Sequence, residues 1–400
     1  MDFIASRMQR IKPSPSSMAT ARVKTLRAEG RNIIGLTAGE PDFDTPPHIV
    51  EAAYQAMKAG QTRYTVVDGT PELKRAVVDK FSRENGLTYT PDQVSVGNGG
   101  KQVIYNAFTA TVQRGDEVVI PSPYWVSYPD MVLLNGGTPV AVACLPEHGY
   151  KLQPADLDAA ITPRTKWLVI NSPCNPSGAA YTRAELQALG EVLLRHPDVH
   201  VLTDDVYEHL YYDGFRFATM AEAVPELAPR TLTVNGVSKA FAMTGWRIGY
   251  AAGPKPLIQA MAKLQSQSTS NPSAVSQAAA LAALNGPMDF LNGWRSAYTE
   301  RRDLVVKRLN AIDGLHCPTP QGAFYVYPSC AGLIGKRTPS RLTIDDDSAL
   351  VMYLLDAQNV GTVQGAAFGL SPAFRISFAT SMAELSEGCD RIARACAELA

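Results

Sequence analysis

The chain has 400 residues, more than one ordinary small core requires and about right for a large domain with a smaller companion. Its 37 Lys+Arg nearly cancel its 38 Asp+Glu, which leaves no electrostatic footprint for nucleic acid or an anionic membrane and points to small molecules instead. The six cysteines are scattered without a C-x-x-C pair or zinc-like spacing, so a reducing, cytoplasmic setting without a bound metal is expected, and no run approaches the roughly 20 apolar residues of a membrane span.

In chain order, residues 1–12 lack the apolar stretch of a signal peptide, and PSPSS at 13–17 is the only linker-like cluster, expected to be a mobile segment near a site. Between about 93 and 250, short β-branched runs alternate with polar or glycine-rich turns and then with helical spacing. That rhythm predicts βαβ units with strands at 93–97, 117–121, 166–171, 199–203 and 231–235. Several of these are almost wholly apolar, as strands become when helices cover both faces of a parallel sheet. Helices are predicted at 100–112, at 182–195 behind the capping-box pair Thr182 and Glu185, and at 272–284. Beyond 288 come an amphipathic stretch at 294–309, a strand-like 322–327, a loop rich in Gly, Pro and Ser, a helix near 347–358 and a last strand at 374–379. The fold class is α/β, with a smaller α+β unit.

In an open parallel sheet, ligands bind beyond the carboxyl ends of the strands. The segments there are GNGGKQ (97–102), SPYWVSYP (122–129), NSPCNPSG (171–178), DDVYEHLYY (204–212) and GVSKAFAMTGWRIGY (236–250). Taken singly, each has an ordinary reading. Gly99-Gly100 is a common turn, Asn175 a turn residue, Asp204 a helix cap, Trp125 and Tyr207 core aromatics, and Lys239 a surface lysine. Together they suit one ligand, an aromatic aldehyde phosphate. Gly99, Gly100 and Lys101 offer backbone N–H groups to the phosphate at a helix start, with Ser238 and Arg247 adding a donor and a charge. Trp125 offers a stacking face, and Asp204 a carboxylate for the pyridine nitrogen. Asn175 and Tyr207 can hold the phenolate, and Lys239 the aldehyde, afterwards moving protons as general acid and base. A nicotinamide dehydrogenase would need G-x-G-x-x-G after its first strand, which GNGGKQ does not match.

The run N-G-V-S-K-A-F-A-M-T-G-W-R-I-G-Y (235–250) resembles the cofactor-lysine signature of class I, fold-type I aminotransferases that use pyridoxal 5′-phosphate (PLP). L-T-A-G-E-P-D-F-D-T-P (36–46), S-P-Y-W-V-S-Y-P (122–129), N-S-P-C-N-P-S-G (171–178) and F-R-I-S-F-A (374–379) are similar to further motifs of the same family, and the likeness is to its prokaryotic-type aspartate aminotransferases. The resemblance implies an N-terminal arm (1–12), a large PLP-binding domain with a mostly parallel seven-stranded sheet (46–294), and a small domain from 13–45 and 295–400. It also implies a homodimer with shared active sites, in which Tyr64 reaches the neighbouring subunit's phosphate.

By the same resemblance Lys239 is the Schiff-base residue, Arg375 grips the substrate α-carboxylate beside Gly39, and Trp125 and Asn175 contact substrate as well as cofactor. The arginine that animal-type and enteric aspartate aminotransferases place before S-N-P is absent, since Ser266-Gln267-Ser268 stands there. Lys12, Ser14, Ser16 and Lys101 are therefore the candidates for the distal carboxylate. The implied reaction moves the amino group of L-aspartate to 2-oxoglutarate, with an aromatic or glutamate/aspartate-prephenate aminotransferase, or a PLP lyase, as the alternative. A ligand-sensing regulator on this scaffold would carry an added DNA-binding module, whereas this chain begins almost directly with the arm.

Overall fold

The computed structural model describes residues 3–400, so the first two residues of the expected arm lie outside the described residues. The chain opens with α1 (Pro15–Ala28), β1 (Ile34–Gly35), α2 (Pro47–Lys58) and α3 (Pro71–Asn85). Alternation then begins with β2 (Val94–Gly97), α4 (Gly100–Thr111), β3 (Glu117–Ser122), α5 (Ser127–Leu134) and β4 (Thr138–Ala143). It continues through α6 (Pro154–Ala160), β5 (Thr165–Asn171), α7 (Arg183–Leu194), β6 (His200–Asp204), α8 (Met220–Ala223), β7 (Thr231–Gly236) and β8 (Gly249–Ala252).

The seven strands β2 to β8 form one sheet in the order β2-β8-β7-β6-β5-β3-β4, with β8 antiparallel to both of its neighbours and the other pairs parallel. The inner strands are buried along their length because apolar clusters cover both faces. Val103, Ile104 and Phe108 of α4 pack on one face, and Leu186, Leu189 and Leu193 of α7 on the other. All five predicted strands are present within a residue or two. The two that were missed lack the usual signal for physical reasons. At the sheet edge β4 keeps its side chains half-exposed or exposed, and β8 is four small or aromatic residues across the end of the signature run, with no β-branched residue to mark it.

The remaining chain holds α9 (Lys255–Ser266), α10 (Ala274–Asn285) and α11 (Phe290–Asn310), then β9 (Tyr325–Val326), α12 (Asp347–Gln358), β10 (Val360–Gly361), β11 (Val363–Gln364), β12 (Phe374–Ser377) and α13 (Met382–Ala397). β9, β11 and β12 make a three-stranded antiparallel sheet, and β1 pairs with β10 in parallel, which ties residue 34 to residue 360. The expected mobile PSPSS cluster is instead a helix start: Ser14 stands at the N-cap position of α1 and Pro15 follows at the first helical position. The ring's fixed φ suits that place and the missing N–H has no intrahelical partner to lose. Among the described residues, no helix is long and apolar enough to cross a membrane.

Candidate active site

At the carboxyl ends of the central strands lies a cavity of about 510 Å³, a size suited to a cofactor with a small substrate. Its phosphate-sized end is built by close backbone approach. Gly99 precedes α4 with φ of +85°, and a Cβ there would fall 2.3 Å from the Arg247 guanidinium. A Cβ on Gly249 of β8 would lie 2.1 Å from the Gly100 nitrogen. Glycine at both positions lets the start of α4, the end of β8 and Arg247 converge. Arg247 is held by the carbonyls of Thr244 (2.9 Å) and Asn98 (3.2 Å), with its own backbone in the left-handed region (φ 57°). Ser238, Gly100 and Lys101 line the same end. This is an anion cradle, with helix N–H groups and a guanidinium facing one space.

Deeper in the cavity, Asp204 ends β6 and is buried. Burial pushes its carboxyl upward, against the pull of the Tyr128 hydroxyl, the Val206 N–H and the Lys239 ammonium. The Tyr128 hydroxyl donates to Asp204 Oδ2 at 2.6 Å, and the Tyr128 ring meets Trp125 edge-on at 5.2 Å. A buried carboxylate so little compensated suits a cationic ligand group beside it. Lys239 stands nearby with its Nζ donating to the Gly39 carbonyl at 2.5 Å. Burial pushes this amine down to about 8, an effect that Glu40 and Asp204 oppose and that Arg375 and Arg247 reinforce. Glu40 is itself anchored by the Thr244 hydroxyl at 2.8 Å.

A third group surrounds Arg375, which comes from β12 and is 2 % exposed. Its Nη1 donates to Asn175 Oδ1 (2.9 Å) and its Nη2 to the Thr37 carbonyl (2.7 Å), while its Nε is buried with no acceptor. The guanidinium lies over the rings of Tyr325 and Phe368, at 4.6 and 5.1 Å. Tyr207 and Tyr325 share a hydrogen bond at 2.9 Å, and burial pushes both hydroxyls up, so they remain protonated donors. A cation kept in a dry, aromatic cage with one donor unspent is a receptor for a carboxylate.

The outer wall differs. Ser14 at the N-cap of α1 and Ser16, Ser17, Thr20 and Lys24 along the helix line the same cavity as Lys101 and Trp125. The Ser16 hydroxyl is buried and has no hydrogen-bond partner. Lys101 lies 4.9 Å from the centre of the Trp125 ring, its ammonium disfavoured by burial and by Arg247. Three expected site residues do not line this cavity: Gly99, which packs against Arg247, Lys12 and Tyr64. Lys12 is exposed; its backbone N–H donates to Asp130 of α5, and its side chain does not line the cavity. Tyr64 is 91 % exposed on the surface. Conversely, sequence reasoning passed over Tyr128, Tyr325, Glu40, Thr244 and Lys24. Tyr128 lay inside a quoted motif three residues after Trp125, the spacing that puts two side chains on one helix face, and that signal could have found it. Elsewhere Glu84, Glu208 and His209 cluster as metal ligands could, but the Lys80 ammonium touches Glu208 and lies 3.6 Å from Glu84, supplying the positive charge there.

A family model for class I and II aminotransferases matches residues 31–392, nearly the whole chain. The chain belongs to that family. As an aminotransferase of this class it is a PLP-dependent transaminase, and Lys239, Asp204 and Arg375 line one cavity. It is 60% identical over 399 residues to the aspartate/prephenate aminotransferase of Cereibacter sphaeroides, covering 100% of both chains. It is 56% identical over 395 residues to an aspartate aminotransferase of Rhizobium meliloti, covering 99% of this chain and 96% of that one. The crystal structure of the aspartate aminotransferase from Rhizobium meliloti superposes with a TM-score of 0.97 at 56% identity, over 99% of each chain. The Thermus thermophilus enzyme with maleate gives 0.92 at 44% identity, over 99% and 100%.

Proposed function

We propose that this aminotransferase transfers the amino group of L-aspartate to 2-oxoglutarate, giving oxaloacetate and L-glutamate. The carrying observation is that one cavity is lined by an amine held near neutrality (Lys239), a buried carboxylate short of positive charge (Asp204) and a caged guanidinium (Arg375). Bound PLP would supply an aldehyde for the amine and a protonated ring that accepts electron density from the substrate Cα. The residues present fit that group: the α4 start with Arg247 and Ser238 for its phosphate, Trp125 for its ring face, Asp204 for its nitrogen, and Tyr207 with Asn175 for its phenolate oxygen. Lys239 would hold the cofactor through its amine and, once a substrate amine has displaced it and left it free, would move a proton between substrate Cα and the cofactor's C4′. Arg375, with Gly39 beside it, orients the α-carboxylate of every substrate. Lys101, Ser14 and Ser16 meet the distal carboxylate; Lys12, outside the cavity, is dropped from that role.

A second reading, that prephenate is also an amino acceptor, is favoured by the outer wall. A ring-bearing oxo acid with a second carboxylate and a hydroxyl suits the row of hydroxyls on α1 and the unpartnered Ser16 Oγ. The Cereibacter sphaeroides relative carries both substrates in its name. The working unit is proposed to be a homodimer in which Tyr64, projecting into solvent from its own chain, reaches the partner's phosphate site. The domain division follows the sheets, since β2 to β8 all fall within 46–294 while the small sheets draw on residues 34–35 and 325–377. Six free, buried cysteines support a cytoplasmic setting. The deciding experiment tests aspartate, phenylalanine and glutamate as donors against 2-oxoglutarate and prephenate. Aspartate with 2-oxoglutarate should give a kcat/KM at least about tenfold above phenylalanine, about 1.4 kcal/mol of discrimination; a preference for phenylalanine would overturn the aspartate reading.

A further inference from the structure

Asp204 needs more than burial to serve as the partner of a ring nitrogen. A carboxylate that can rotate offers its oxygens in changing directions, and one without donors resists ionisation. Two donors serve it, the Val206 N–H and the Tyr128 hydroxyl. The backbone around it is secured separately, because the Asn171 side-chain amide donates to the Asp204 carbonyl at 2.8 Å and the two residues are register partners in β5 and β6. The side chain itself is fixed by Tyr128. That tyrosine is 1 % exposed, and the 2.6 Å O–H···O distance lies in the range of charge-assisted bonds to a carboxylate.

We infer that Tyr128 is a positioning residue: its hydroxyl pins one oxygen of Asp204 so that the other is presented to the ring nitrogen of the cofactor. The inference rests on the proposed cofactor geometry. The same side chain does a second task, since its ring edge meets Trp125 at 83° and so braces the surface on which the cofactor ring would lie. Both residues come from a single turn, Tyr128 N–H bonding to the Trp125 carbonyl at 3.1 Å, so one short segment sets the face and the nitrogen partner together. No neighbour can substitute for the phenol. The ionisable groups around Asp204 are Lys239, Tyr207, Cys174 and Asp205; Lys239 is engaged with Gly39, Tyr207 bonds Tyr325, the Cys174 thiol donates to the Pro123 carbonyl at 3.6 Å, and Asp205 bonds Thr219. Burial and the Asp204 charge also keep the Tyr128 proton in place, so the hydroxyl remains a donor throughout the working pH range.

The test is a double-mutant cycle of Y128F and D204N, read by kcat, KM and, independently of turnover, by equilibrium binding of PLP to the cofactor-free proteins. Y128F should lower kcat about 10- to 100-fold, the usual worth of a hydrogen bond to a charged group, with KM for both substrates within about twofold because Arg375 is untouched. It should weaken PLP binding several-fold. In the D204N background, adding Y128F should change either quantity by less than about twofold, since the hydroxyl then has no carboxylate to hold. A full additive loss, or a Y128F protein with wild-type kcat and wild-type PLP affinity, overturns the inference. A further variant, Y128L, should also lose the Trp125 brace and bind PLP more weakly than Y128F; equal affinities would remove that second task. Failure of the underlying cofactor reading looks different, because the wild-type protein itself would then bind no PLP.

Discussion

The inner and outer walls of the cavity are built on different principles. The inner wall is a sheet edge: Asp204 ends β6, Ser238 and Lys239 follow the adjacent β7, the start of α4 abuts β8, and side chains are tied to one another, as in Tyr128–Asp204 and Arg375–Asn175, with the Arg375 Nε left for a ligand. The outer wall is one face of helix α1, with Ser17 and Lys24 exposed and the Ser16 hydroxyl unspent. Strand register fixes the inner groups against one another, whereas the outer groups ride on one helix, packed through Val23 and Leu26 and tied by Thr20 to Thr37. On the proposed function, the chemistry is expected of the strand-end wall and substrate choice of the helix wall.

Substitutions on the two walls should divide accordingly, inner ones lowering kcat for all substrates and outer ones discriminating among them. The largest effect is expected for Lys239→Ala, which should lower kcat by at least about 10⁴-fold with every donor and abolish the visible band of the lysine-linked cofactor; a retained band would place the attachment elsewhere. Asp204→Asn should keep PLP yet lose about 10³-fold in kcat by steady-state assay, the scale of losing one preorganised electrostatic partner. Arg375→Lys keeps the charge but not the fork, and should lower kcat/KM by about 100-fold for amino and oxo acids alike, some 2.8 kcal/mol.

Across the cavity, Lys101→Ala should weaken dicarboxylic substrates about tenfold more than phenylalanine, whereas Lys12→Ala should leave the ratio within about twofold. Equal losses for both substrate types with Lys101→Ala would erase the distinction between the walls. A pH experiment sharpens it further. Only the neutral amine attacks an aldehyde, so capture of PLP by cofactor-free protein should speed up as pH rises, with a midpoint near the value of about 8 set by burial of Lys239. Glu40→Gln removes a carboxylate that favours the ammonium, so the midpoint should move down; an upward move would mean Glu40 acts otherwise.

Most of the inner wall was legible in the chain. The five strands from 94 to 236 were marked by buried apolar runs, and the residues after them had to be polar, because strand ends open to a cavity while the strands themselves do not. Capping chemistry located α7 through Thr182 and Glu185, whose reciprocal bonds are present. The proline-serine cluster misled, since the same residues that suit a linker also suit a helix start, and only the segment that follows distinguishes them.

What the sequence determined by itself was the alternation of strands and helices and the strand ends where polar groups gather, because both follow from local rules of residue type and spacing. Which of those groups touch was decided by the tertiary structure. Tyr128 and Asp204 lie 76 positions apart, and Arg375 and the Thr37 carbonyl 338. Hydrogen bonds between such distant residues carry no local pattern, and they exist only once the sheet order and the packing of α1 have brought the segments together.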